Sequence, residues 1–228
     1  MSDDWFSSKL APEQENHPEE KITATEAAQT ITQPVVTSEF PTKDLARLHV
    51  LLLDALVELP DHTEPLLALL QAIENLPEPD FTAVQPDKRP HEKFWKGLPN
   101  FANQWYDISY RSGSWKMDAE ETSGPKRDAL RNEHIRRAEV EARLAIADIA
   151  GIPTDWGYEV IDSALGRDLL LDFELPAAAE WLAICGKRFR QGAEEGEETY
   201  ALQVQSEVVQ RAATKALNAI HEANREKL

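Results

Sequence analysis

The stretch TKDLARLHVLLLDALVELP, residues 42–60, constrains the fold more tightly than any other part of the chain. Leu45, Leu48, Leu52, Leu56 and Leu59 recur at threes and fours, the spacing that lines one side of an α-helix. Val50, Leu53 and Val57 add a second apolar stripe, leaving Arg47, Asp54 and Glu58 as a narrow polar edge. A helix apolar around most of its circumference needs neighbours on several sides and belongs in the middle of a bundle. Pro60 ends it. HTEPLLALLQAIENLP then restarts, with Thr63 placed as N-cap, Pro65 in the first turn, and Leu66, Leu69, Leu70 and Ile73 facing inward. The pair reads as an antiparallel helical hairpin.

The helical period persists downstream. Residues 77–90 carry four prolines and read as a connecting loop. An aromatic helix starts near Pro99 and stops at Gly113, and 112–125 reads as a polar loop. A long helix over 126–150 places Ile135, Ala138, Ala142, Ala145 and Ile149 on one face and ends at Gly151. Thr154 is positioned to cap a helix over about 155–171. Pro176 opens the next, whose Ala178, Leu182, Cys185 and Phe189 form one stripe, and a last helix is expected over about 197–225. No convincing period-two alternation occurs. The expected architecture is all-α: a single-domain bundle of about seven helices over residues 42–228, with a disordered acidic N-terminal tail over 1–41. That tail holds eight acidic residues against two basic ones and no sustained apolar period. Within it, a transient helical turn around Ala24–Thr30 and a short docking motif at Trp5–Phe6 are the features to watch.

Charge narrows the partners. The formal net charge is −17, which repels polyphosphates and anionic lipid at long range. The densest basic stretch, Lys126, Arg127, Arg131, Arg136, Arg137 and Arg143, is interleaved with Glu133, Glu139 and Glu141, which favours salt-bridge lacing over a nucleic-acid footprint. Arg137 and Glu141 read as a surface i, i+4 pair. No apolar run approaches the roughly 18 residues of a membrane span. Neither nucleic acid nor membrane is expected as a partner. One cysteine and an acidic, polar first decade point to an intracellular, cytoplasmic setting, with a nuclear one left open.

Chemistry is narrowed mainly by exclusion. There is no glycine-rich phosphate loop, no G-x-S-x-G and no H-E-x-x-H, and no Glu stands three residues before a His. Neither cofactor nor metal is expected. Cys185 lies on an apolar stripe and reads as a small hydrophobe rather than a nucleophile. His134, Glu141 and Asp148 stack at sevens over about 20 Å of helix, too spread for one metal. Asp148, within ARLAIADIAG, is expected to be partly buried and to need a partner.

The segment NFANQWYDISYRSGSW, residues 100–115, holds five aromatics in a chain where they make up 7%. On a helix, Phe101, Trp105 and Ile108 share a core face. Asn103, Tyr106, Asp107 and Tyr110 fall on the other side, and Trp115 is placed to close over them. Aromatic bodies with polar tips serve both interfaces and pockets. These residues, with Asp148 and Asp162, form the candidate ligand site.

Together, FWKGLPNFANQWYDISY, ALGRDLLLD and LPAAAEWLAICGKRF resemble a family of all-helical proteins of unassigned function from filamentous ascomycete fungi, sometimes encoded beside specialised-metabolite genes. The resemblance covers roughly residues 42–192. It implies a fungal intracellular helical domain and carries over no activity and no catalytic residues. Three functions remain open. The first is a non-catalytic binding or accessory protein for a small apolar or aromatic molecule or a partner helix. The second is a cofactor-free cyclase or isomerase using Tyr hydroxyls with Asp148 or Asp162 as acid or base. The third is an assembly scaffold; whether the chain is an enzyme and what its oligomeric state is stay undetermined at this level.

Overall fold

The computed structural model describes residues 22–90, 93–108, 115–166, 170–198 and 203. Among these the regular structure is helical: α1 (Ala24–Val36), α2 (Pro41–Glu58), α3 (Thr63–Glu74), α4 (Phe101–Ile108), α5 (Trp115–Glu121), α6 (Gly124–Ile146), α7 (Asp155–Gly166) and α8 (Leu171–Glu195). Short 3-10 turns at Pro60–His62 and Pro86–Lys88 complete it. The all-α expectation holds.

The expected tail ends earlier than residue 41. Thr23 accepts from the Glu26 N–H at 3.2 Å and Glu26 accepts from the Thr23 N–H at 2.9 Å, a reciprocal capping box that starts α1. Ala28, Thr32 and Val35, spaced by four and three, are buried against α2 and α3. Thr32 tolerates this because its hydroxyl donates to the Ala28 carbonyl at 2.7 Å. Residues 24–36 are therefore part of the helical assembly. Residues 1–21 of the expected tail, with Trp5 and Phe6, lie outside the described residues.

In α2, Leu45, Leu48, His49, Leu52, Leu53 and Leu56 are buried, while Val50 is 39% and Leu51 45% exposed. The second stripe is thus only partly covered. Thr63 is the first residue of α3 rather than its cap, its hydroxyl donating to the Pro60 carbonyl. α3 also packs more extensively on α1 than on α2, so the expected hairpin is a three-helix layer.

The second half is built on α8, which packs along α6 and α7. Pro176 lies inside α8 instead of opening it, and the helix ends at Gly196 in left-handed conformation. The expected loop over 112–125 contains α5, with Ala119 buried. The last expected helix, 197–225, lies almost wholly outside the described residues. One buried cluster joins both halves, running from Ala28 and Leu56 through Trp95, Phe101 and Trp105 to Trp181 and Phe189.

α6 crosses this core although its sequence is highly charged. Glu141 is fully buried and accepts from the Trp105 indole N–H at 3.0 Å. It is not the surface mate of Arg137, which pairs with Glu133 at 2.8 Å. Arg136 bonds the Leu56 carbonyl and Glu139, and Arg143 bonds Glu139 and Glu64. The basic stretch is laced with carboxylates as expected.

α7 meets α8 at Gly157, where a Cβ would stand 2.5 Å from both a Phe189 and a Trp181 ring carbon. Both rings are buried, so neither can swing into solvent. Gly157→Ala is expected to destabilise the fold by about 1–3 kcal/mol through overpacking. A urea midpoint unchanged from the parent chain is the contrary outcome.

Candidate functional site

The expected site residues are not gathered in one place. Asn103, Tyr106 and Asp107 share the exposed side of α4, with Tyr106 45% exposed and its ring 6.0 Å from that of Trp156 on α7. Tyr110 lies outside the described residues. Trp115 does not close over that side. Its ring packs 4.1 Å from His134 and 5.3 Å from Phe173, between α6 and α8. Asp148 is exposed, in left-handed conformation just past the end of α6, and Asp162 is exposed on α7. The expectation that Asp148 is partly buried fails because α6 stops at Ile146, two residues before it.

Beneath Trp115, His134 and Glu174 are 3% and 6% exposed, with Nε2 and Oε2 3.8 Å apart, and Lys116 reaches the other Glu174 oxygen at 3.5 Å. Burial works to raise the Glu174 pKa, but the bond to His134 and the charges of His134 and Lys116 outweigh it and leave the pKa lowered. The group is closed over by side chains and reads as a packed ionic joint.

The concavity with chemistry in it lies on another side of α4. α2, α4 and the segment before α4 enclose about 330 Å³, with Leu45, Phe94 and Pro99 among the apolar walls and His49, Gln104, Arg89 and Lys93 among the polar ones. The apolar period of α2 brings His49 inward, because it falls four residues after Leu45 and three before Leu52. The Glu78 carboxylate builds the opposite wall by accepting from the N–H groups of Phe94 (2.7 Å), Trp95 (3.3 Å) and Lys96 (3.2 Å). Phe101 and Trp105 anchor α4 in the core, which sets Gln104 beside the cavity.

His49 is only 1% exposed, and neither ring nitrogen has a hydrogen-bond partner; its ring meets Phe101 edge-on at 5.3 Å. Gln104 Oε1 is likewise buried and unpartnered. A buried polar group without a partner costs on the order of 1–3 kcal/mol. Burial pushes the His49 pKa down to about 4, so at neutral pH the imidazole is uncharged, with one donor and one acceptor. A hydroxyl or a primary amide can match either nitrogen, whereas a carbonyl matches only the donor. Sequence reasoning missed His49 and Gln104; the legible signal was a titratable side chain on the core stripe of a leucine-rich helix.

A second concavity of about 670 Å³ runs between α1 and α2, walled by Ile31, Pro34, Val35, Leu48 and Leu51. Its polar groups are paired, Ser38 and Arg47 both to Asp44. Cys185 is fully buried, its thiol 3.5 Å from the Ala142 carbonyl, and burial pushes its pKa up to about 11. Among the described residues no group of three or more His, Cys, Asp or Glu side chains is arranged to hold a metal ion, and no helix is long and apolar enough to cross a membrane.

A family profile described as protein of unknown function (DUF3632) matches residues 50–225. The chain belongs to the DUF3632 family. The match spans α3 to α8, all but the first part of α2, and both walls of the His49 cavity except residues 42–49. No curated protein and no solved structure matches the chain.

Two outcomes follow from these burials. The unfolded chain protonates His49 near pH 6.5 and the folded chain only near pH 4. Stability from neutral burial is therefore complete above about pH 6.5 and falls as pH drops towards 4, by about 3 kcal/mol at full depth. Urea midpoints at about pH 7 and about pH 5 are expected to fall further for the parent chain than for His49→Phe; parallel declines contradict this. Cys185 is expected to react with an aromatic disulfide reagent only in denaturant, and rapid labelling of the native chain contradicts its burial.

Proposed function

We propose that the protein is a non-catalytic binding or accessory protein whose small-molecule ligand occupies the cavity beside His49. The observation that carries this reading is a buried imidazole with both nitrogens unpartnered, lining a concavity of ligand size. The nitrogens lie just behind the cavity wall, and their unmet hydrogen-bonding capacity favours a ligand group that reaches them as that wall shifts. The groove between α1 and α2 has no such unmatched group.

The same geometry favours holding a ligand over converting it. An acid–base enzyme needs a group that changes protonation near its working pH. His49 is too weakly basic for this, and no Asp or Glu lines the cavity among the described residues. Asp148 and Asp162, the carboxylates that a cyclase or isomerase reading requires, are exposed. A place beside specialised metabolism in a filamentous fungus, implied by the sequence resemblance, accords with a carrier for a compact organic molecule.

Differential scanning fluorimetry across a panel of small organic molecules tests the reading. A ligand at about a hundred times its dissociation constant is expected to raise the melting temperature by about 5 °C or more. His49→Phe removes the shift, whereas Tyr106→Ala leaves it intact. The reverse pattern places binding on the exposed side of α4 and overturns the proposal.

A further inference from the structure

We infer that the His49 cavity takes a compact organic anion: a ring-sized carboxylate that also carries a hydroxyl group. The inference rests on the reading of that cavity as a ligand site and names the chemistry of its occupant.

Charge is the first argument. In a chain of net charge −17, the described lining of this cavity holds Arg89 and Lys93 and no carboxylate. The neighbouring cations are already matched: Lys88 pairs with Glu39, and Arg47 with Asp44. Arg89 is held differently. Its Nε donates to the Val84 carbonyl at 2.7 Å and one Nη2 hydrogen to the Thr82 carbonyl. These carbonyl partners orient the guanidinium and leave three of its five N–H groups, although the Asp80 carboxylate lies near enough to feel its charge. Lys93 is exposed and has no acidic mate among the described residues. Arg89, whose charge Asp80 shares, and exposed Lys93 give this small concavity two cations and, in its described lining, no carboxylate, which suits a carboxylate or other compact anion.

The second argument is the neutral polar group set across the same space. Uncharged His49 donates one hydrogen bond and accepts one, and Gln104 Oε1 accepts one. A hydroxyl, which both donates and accepts, answers these groups, whereas a second charge beside such buried atoms is disfavoured. Leu45, Phe94 and Pro99 supply apolar wall between the two polar ends. About 330 Å³ is at the small end of ligand cavities. It suits one substituted ring and is too small for a nucleotide or a peptide.

Calorimetric titration of the full chain with three probes tests the class: para-hydroxybenzoate, its neutral isostere para-hydroxybenzamide, and benzoate. Para-hydroxybenzoate is expected to bind about tenfold more tightly than either of the others, one matched charge or hydrogen bond apiece. Lys93→Met, at an exposed position, is expected to weaken the two acids severalfold and leave the amide unchanged. Arg89→Met extends that loss, and Lys93→Arg restores the parent value. His49→Phe erases the preference for the hydroxylated acid over benzoate. An amide that binds as tightly as the acid, or acids indifferent to Lys93, overturns the anion class while binding itself stands. No heat with any probe also overturns the class, and the cavity reading is then decided by the His49-dependent melting shifts.

Discussion

The rest of the structure depends on one awkward helix. α6 is rich in Arg and Glu, yet it runs through the interior, so its ionisable groups must be answered where they lie. Each answer comes from a different element. His134 meets Glu174 of α8, Arg136 meets the last turn of α2 through the Leu56 carbonyl, and Glu141 meets the Trp105 indole of α4. Charge in the core thus ties α2, α4 and α8 to one axis. Apolar packing alone tolerates sliding and repacking, whereas a buried carboxylate that takes an indole N–H accepts few alternatives.

The candidate site follows from those ties. Trp105 is fixed by Glu141, and Gln104 precedes it on the same short helix. α2 is fixed by Arg136 near its end, and His49 lies two turns earlier. The cavity therefore lies between two elements that both refer to α6. A ligand bound there meets walls that are set before it arrives, which limits the ordering it must impose.

Much of the fold was legible because leucine and alanine spacing reports helices directly: α2, α3, α6 and most of the stripe on α8 stand where periodicity puts them, Ala178, Cys185 and Phe189 being buried while Leu182 of the same stripe is 51% exposed. α1 was read only as a transient turn around Ala24–Thr30, because its surroundings are acidic and its buried face is just Ala28, Thr32 and Val35, although Thr23 and Glu26 have capping-box spacing. Pro176 marks a boundary in a local reading, but α8 keeps it inside, in a helix held along its length by α6 and α7. The site was less legible. Tyr106 and Asp107 were singled out for their chemistry and proved exposed, and Trp115 turned towards His134. His49 sits where a leucine would be unremarkable. What sets it apart is the absence of a partner, a property of distant residues that no local pattern encodes.

Glu78 gathers three successive main-chain N–H groups from residues sixteen to eighteen positions further along. That contact closes residues 78–94 into a loop whose two ends are clasped together. The position of Phe94, and with it one wall of the cavity, is set by the clasp and not by how much chain lies between its ends. Arg89, Pro90 and Lys93 lie within this loop and line the cavity, so a change of length between Glu78 and Phe94 leaves Phe94 in place while moving the cavity's two cations. Loss of the carboxylate at position 78, by contrast, frees the wall even in a chain of identical length.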